Sequence, residues 1–371
     1  MNIRRLRKIE WLIPLFALIL CAIGLVALFS ASYDSGLEEF KKQVVWICVS
    51  IVLMIIVMLI DYKFLVKISP FLYGIAIIML IAVLFTEPIS GAKSWFVIGD
   101  DLFSFQPAEV SKIFIILFIS YIISMIQIQK GRNEINKISK LALILLAVSI
   151  PILLIVLEPD YGTAAAYIMA FLLIIFVAGI DKKYIFITIA IVAIALPLLY
   201  WFVLPEHAKT RIDTYLHPES DPRGAGYNII QSKLAIGAGQ ITGMGILEGN
   251  QTQLGYLYPK TTDFIFAVIG EEMGFVIAGA VILLNVLIII KSIQVAKGIK
   301  DEAGAYVAIG IAGIFLFHTL ENIGMTMGLL PITGVPLLFV SYGGSSMMTS
   351  FISIGILLNI SSQRKNGLFN K

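Results

Sequence analysis

Residues 11–30 read WLIPLFALILCAIGLVALFS, twenty positions without one charged side chain. A helix of that length spans about 30 Å, the thickness of a bilayer's hydrocarbon core. The basic stretch RRLRK (4–8) stands in front of it, as in a secretory signal peptide. The apolar run is too long for that role and no small-x-small cleavage site follows, so it reads as a retained helix.

Runs of the same kind recur near 43–60, 66–86, 108–127, 141–158, 162–180, 184–203, 264–290, 304–327 and 345–361. The chain has 371 residues, of which 59% are hydrophobic and 14% charged. Its mean hydropathy is +0.94. A soluble domain cannot hide that much apolar surface, and a lipid-embedded one need not. The expectation is an all-α polytopic membrane protein with about ten transmembrane helices, a single integral membrane domain across 1–371. Cys21 and Cys48 both fall inside apolar runs, where packing explains them better than a disulfide or a metal.

Lys and Arg crowd alternate loops: the N-terminal segment, 61–67, 128–140, 181–183, 291–302 and the tail QRKNGLFNK. The short loops between carry few: Lys41, Lys42 and Lys93. By the positive-inside rule both termini are expected in the cytoplasm. Residues 204–263 then form one long extracytoplasmic loop. Loops of that length usually carry function or are disordered. Tyr227, Ile230, Leu234 and Ile236 stand near helical spacing, which predicts a short interfacial helix over 225–237.

Ionisable groups at membrane depth point to function by default. In FSFQPAEVSKIF (103–114), Glu109 and Lys112 stand three apart and can pair on one helical face. They are either a self-neutralising pair or the charged wall of an outward cavity. In LEPDYGTA (157–164), Asp160 suits a helix cap. In GAKSWF (91–96), Trp95 suits an interfacial anchor and Lys93 can meet an anionic headgroup. SYGGSS (341–346) reads as a glycine turn before a helix, with Ser341 and Ser345 beside backbone N–H groups able to hold an anion. In YPKTTDFIFAVIGEEMGF (258–275), Asp263 is either a helix N-cap or a reactive carboxylate at the membrane surface. Glu271 and Glu272 lie about 12 Å deeper along a continuous helix, out of reach of the same atom, and suit packing or hydrogen bonding.

Together these motifs, with GYNIIQSKLAIGAGQ, NQTQLGYLYPKTTD and NIGMTMGLLPITGVPLLF, resemble the SEDS family (shape, elongation, division and sporulation), which includes RodA and FtsW. The last segment looks most like the RodA branch. The resemblance spans nearly the whole chain. It implies a SEDS-type fold and a peptidoglycan glycosyltransferase that polymerises lipid II at the outer face of the bacterial cytoplasmic membrane, for elongation and rod shape. It also implies a class B penicillin-binding protein transpeptidase as partner, alongside other elongation-complex membrane proteins, and no nucleic acid. The family's essential acidic residue falls on Asp263, and its fourth-span pair on Glu109 and Lys112. Three positions depart from the common pattern: Ala108 where Ser is usual, Met244 where Lys is frequent, and Asn250 where Gly is usual.

The chemistry so implied has two demands. The donor sugar is α-linked to undecaprenyl pyrophosphate and the product is β-linked, so one in-line displacement suffices. A base must accept the acceptor hydroxyl's proton, and Asp263 suits it, held ionised by the helix dipole. Positive charge must meet the departing pyrophosphate. Lys93, Lys112, Arg211, Arg223, Lys233, Lys260 or a divalent cation (Mg²⁺ or Mn²⁺) can supply it, with no organic cofactor. A lipid II flippase and a non-catalytic scaffold are the rival readings. The long outer loop with a carboxylate at its helix junction favours an enzyme.

Overall fold

The computed structural model describes residues 8–88, 92–98, 103–202 and 225–364, with positions 209, 215, 217 and 219 between. Arg211 and Arg223 lie outside the described residues. The helices are α1 (Leu12–Ala31), α2 (Glu38–Leu59), α3 (Tyr62–Val83), α4 (Pro107–Lys130), α5 (Ile138–Leu157), α6 (Tyr161–Ala178), α7 (Lys182–Phe202), α8 (Ala225–Ala238), α9 (Asn250–Gln253), α10 (Ile265–Gly298), α11 (Glu302–Thr326) and α12 (Gly344–Ser362). Among the described residues nine are long and apolar enough to cross a membrane. The 21-residue α7 fills the place of the seventh expected run.

α11 and α12 are buried along most of their length, whereas α2, α3 and α5 turn most of theirs outward. Val52, Leu59, Phe71, Ile78 and Leu153 project from those outer helices as large exposed apolar side chains. In water that surface would be costly, but lipid is the solvent it suits. Inside the bundle, small residues let backbones approach. A Cβ on Gly313 would sit 2.9 Å from the Ala170 Cα, and one on Gly24 2.7 Å from the Val340 carbonyl oxygen.

Two features depart from the sequence expectation. An antiparallel ribbon, β1 (Phe96–Ile98) with β2 (Phe103–Phe105), interrupts the all-helical plan just before α4. It is too short for hydrophobic period to reveal. More consequential is α10. The expected span over 264–290 is broken at Gly274, which sits at φ 76° and ψ −176°. The loop after α8 fills the break. Phe275 N–H donates to the Gln240 carbonyl (2.9 Å) and Val276 N–H to that of Ile241 (3.3 Å). In return Met244 N–H donates to the Glu271 carbonyl (2.9 Å) and Gly245 N–H to that of Glu272 (3.1 Å). The interruption leaves its backbone groups paired, as burial demands. A Cβ on Gly274 or Gly243 would run into the other segment's backbone, so glycine is required on both sides.

Residues 275–298 remain long enough to span the core, while 265–273 form a buried half-helix. The predicted helix over 225–237 is present as α8, which packs on α10.

Candidate active site

At one end of the bundle, the segment just before the half-helix, the β ribbon, the α5–α6 turn, the segment over 332–336 and the starts of α2, α4, α8 and α12 enclose a cavity of about 610 Å³. Ligand sites for drug-sized molecules fall in this range. Trp95, Glu109, Asp160 and Asp263, four residues from four separate sequence motifs, share its lining. Ser341 and Ser345 stand behind the wall, and Lys93, Lys233 and Lys260 are not part of it.

Asp263 precedes the half-helix. Phe264 occupies the N-cap position and no side chain caps the helix, which removes the capping role weighed from sequence. The backbone around Asp263 is held from three directions. Asn322 of α11 donates its amide to the Asp263 carbonyl (3.0 Å) and to that of Val335 (2.9 Å). The Ser341 hydroxyl donates to the Thr262 carbonyl (2.7 Å), and Tyr342 N–H to that of Thr261 (3.0 Å). The half-buried Asp263 carboxyl meets Thr262 and lies beside Gly334. Burial pushes its pKa above the ordinary aspartate value, outweighing the Thr262 hydrogen bond. Desolvation thus works against the ionisation expected from the helix dipole and makes Asp263 a stronger base.

Glu109 and Lys112 form a buried pair at 2.8 Å. The other Glu109 oxygen accepts from Thr349 (2.9 Å). Lys112 also donates to His318 Nε2 (3.2 Å), which leaves His318 Nδ1–H to donate to the Pro336 carbonyl (3.0 Å). Both sequence readings of the pair therefore meet here: it neutralises itself and Glu109 lines the cavity. His318 completes the group. A lone histidine in an apolar run carried no sequence signal for this.

Asp160 likewise serves twice. One oxygen accepts from Thr163 N–H (3.0 Å) and caps α6, and the other accepts from Gln106 Nε2 (2.9 Å) at the cavity wall. Burial raises its carboxyl above the ordinary range against the pull of Thr163. Glu158, two residues back, is fully buried beside Ser94. Burial, then the Asp160 carboxylate, push its pKa up to about 8.

Among the described residues, Lys42 is the one lysine or arginine on the lining. In the sequence it stands out only as a loop charge. It stands four residues before Trp46, also on the lining, a spacing that places both on one face of α2. Lys260 instead donates to the Thr252 carbonyl (2.9 Å), and Lys233 is exposed beside Gly328. Gly343, Gly344 and Ser346 bring the first turn of α12 to the same cavity. The first N–H groups of a helix have no intrahelical acceptor and carry its positive end. Ser345 supports that turn, its hydroxyl accepting from Gln106 N–H (3.2 Å).

Glu271 and Glu272 do not reach the cavity. Glu271 accepts from Gln251 N–H (2.7 Å), Thr252 N–H (3.0 Å) and the Thr252 hydroxyl (2.7 Å). Glu272 accepts from the Ser30 hydroxyl (2.7 Å) and Gln253 Nε2 (2.9 Å). They fasten the 251–253 segment and α1 to the half-helix, the hydrogen-bonding role their depth suggested.

Among the described residues no three His, Cys, Asp or Glu side chains gather as a metal cage. Glu109 and Asp160 already have both oxygens hydrogen-bonded.

Residues 10–366 match the cell cycle protein family that groups FtsW, RodA and SpoVE. The chain is 31% identical to the peptidoglycan glycosyltransferase RodA of Treponema pallidum, covering 98% of this chain and all of that protein. It is 35% identical to the peptidoglycan glycosyltransferase MrdB of Escherichia coli, covering 95% and 94%. Its fold is similar to that of a chain from a structure of a peptidoglycan synthase complex, described as coordinating polymerization and crosslinking, at TM-score 0.82 and 25% identity, covering 97% and 99%. The crystal structure of the Thermus thermophilus rod shape determining protein RodA is similar at TM-score 0.71 and 24% identity, covering 97% and 98%.

Proposed function

Because the chain belongs to the family of FtsW, RodA and SpoVE, we propose that it is a peptidoglycan glycosyltransferase, polymerising lipid II into glycan strands for cell elongation. The observation that carries this reading is Asp263: a carboxyl with a raised pKa, on the wall of a cavity that faces Lys42 and a helix N-terminus.

The reaction follows from that placement. An acceptor sugar hydroxyl attacks the anomeric carbon of the lipid-linked donor from the face opposite the pyrophosphate. Asp263 takes the hydroxyl proton as the new C–O bond forms. The bond from the anomeric carbon to the phosphate oxygen breaks, and undecaprenyl pyrophosphate leaves. Its growing charge is met by Lys42 and the first turn of α12. Mg²⁺ or Mn²⁺ arriving with the pyrophosphate would add further charge stabilisation and leave Asp263 free to act as the base. Trp46, Trp95 and Tyr342 on the cavity lining supply flat apolar surfaces for sugar rings.

The proposal places both termini in the cytoplasm and the cavity on the outer face, in line with the Lys and Arg bias of the loops. The partner is a class B penicillin-binding protein transpeptidase in the elongation complex, supported by the likeness to a chain of a peptidoglycan synthase complex.

The test is Asp263→Asn, assayed with fluorescent lipid II in detergent, where no compartments exist for a flippase to act between. Loss of a general base lowers the rate about 10²–10⁴-fold. The expected outcome is a folded protein that makes no glycan polymer. Polymerisation at near the wild-type rate sinks the base assignment. Absence of polymer from the wild-type chain as well, with or without its partner, favours the flippase or scaffold.

A further inference from the structure

Gln43 lies in the second turn of α2, buried at 2% exposure. Its side-chain amide bridges two backbone groups of the loop before α12. Nε2 donates to the Ser341 carbonyl (3.0 Å), and Oε1 accepts from Gly343 N–H (3.2 Å). The same loop reaches in two directions. Toward the outer segment, Ser341 and Tyr342 bind the carbonyls of Thr262 and Thr261, beside Asp263. Toward the bundle, Gly343 is the N-cap residue of α12, whose first turn opens on the cavity.

We propose that Gln43 is a positioning residue for the reaction: one amide fixes the loop that sets both the backbone of the base and the helix terminus facing the leaving group. The inference rests on the polymerase reading above. Three further contacts support it. Residues 39, 43 and 46 follow one helical face of α2, at spacings of four and three. The Thr261 hydroxyl donates to Glu39 (3.4 Å). A Cβ on Gly344 would sit 2.7 Å from the Trp46 ring, so that ring lies flush against the start of α12. Within the loop, Leu337 N–H donates to the Ser341 hydroxyl (2.9 Å), so Ser341 cannot move without its neighbours. A side-chain amide suits the task because it donates and accepts at once, as a neighbouring strand would.

The proposal separates from a merely structural role by kinetics. Gln43→Leu removes both bonds and preserves bulk. Base and helix terminus act on the transition state, so turnover falls while the half-saturating lipid II concentration stays within about threefold. A misplacement near 1 Å costs about 100-fold in rate, the drop expected here. Gln43→Glu keeps an acceptor for Gly343 N–H and should retain more turnover than Gln43→Leu. A loosened, wetter Asp263 loses part of its desolvation, so the acid limb of the rate–pH profile moves to lower pH in Gln43→Leu.

The experiment measures polymerisation of fluorescent lipid II by the full chain in detergent, with melting temperature recorded for each variant. Tyr73→Phe, which deletes a hydrogen bond to the Ala147 carbonyl away from the cavity, is the stability control. Turnover for Gln43→Leu within threefold of wild type overturns the proposal. So does a loss that Tyr73→Phe reproduces at equal melting temperature. If Gln43→Leu does not fold, Ser341→Ala breaks the same chain from its other end and must show the same fall in turnover. Asp263→Asn runs alongside: if it polymerises normally the base reading has failed, whereas an inert Asp263→Asn beside a normal Gln43→Leu defeats only the positioning role.

Discussion

Glu158 shows how one side chain can tie folding to pH. It is buried, forms no ion pair among the described residues and has Asp160 as its charged neighbour, so its pKa rises from 4.5 to about 8. The folded carboxyl therefore holds its proton more tightly than the unfolded one. Its contribution to stability is full below 4.5 and is lost as pH climbs through 8. Melting temperature of the wild type in detergent should accordingly fall between about pH 5 and pH 8 by more than that of Glu158→Gln, which has no proton to lose. Parallel curves for the two proteins would place the Glu158 carboxylate in contact with water or a counter-charge. Asp263 obeys the same physics with a different outcome, because a raised pKa at a cavity wall serves proton transfer. Its acidity could not be read from sequence. The motif puts a carboxylate before a helix, where the dipole lowers pKa, and only the packing of 261–264 against Asn322, Ser341 and Tyr342 shows that burial prevails.

At the level of elements, hydrophobic period located the membrane helices well because a span's length is set by bilayer thickness, whatever it packs against. The break in α10 was invisible to the same reading. GEEMGFVIAG continues an apolar run, and period reports composition, not the φ of Gly274. Helical spacing did find Glu109 with Lys112, but the cavity joins motifs up to 300 residues apart in contacts such as Gln43 to Gly343, which no local pattern encodes. The half-helix makes a distinct prediction about its two glutamates. Glu271 accepts three hydrogen bonds on two oxygens, and an amide has only one acceptor oxygen. Glu271→Gln strands buried donors of the outer loop, at about 1–3 kcal/mol of stability. Its melting temperature should drop, while turnover per folded molecule stays far above that of Asp263→Asn. Equal catalytic losses in the two variants would mean that Glu271 takes part in the chemistry through a route the cavity does not show.

For the whole molecule the orientation in the membrane decides whether the cavity can meet an outer-leaflet substrate. The prediction uses an exposed position of the long loop, Glu219. Cys48 is exposed and must be replaced first, whereas Cys21 is buried and can stay. In that background a membrane-impermeant maleimide should label Glu219→Cys on intact cells. Labelling only after permeabilisation would invert the topology and remove the substrate from reach.

The tethers of Asp263 also impose an order on its making. The half-helix of 265–273 is too short to cross the bilayer, and it docks against α8 and the loop threaded through its break, all synthesised earlier. Its remaining holds come later in the chain: Asn322 fixes the Asp263 carbonyl, then Ser341 and Tyr342 fix its two predecessors. A nascent chain emerging from the ribosome thus carries its aspartate well before it can seat it. Chemical competence arrives only with the final helix, so a truncated or stalled product inserts into the membrane as an inert bundle and not as an unregulated polymerase.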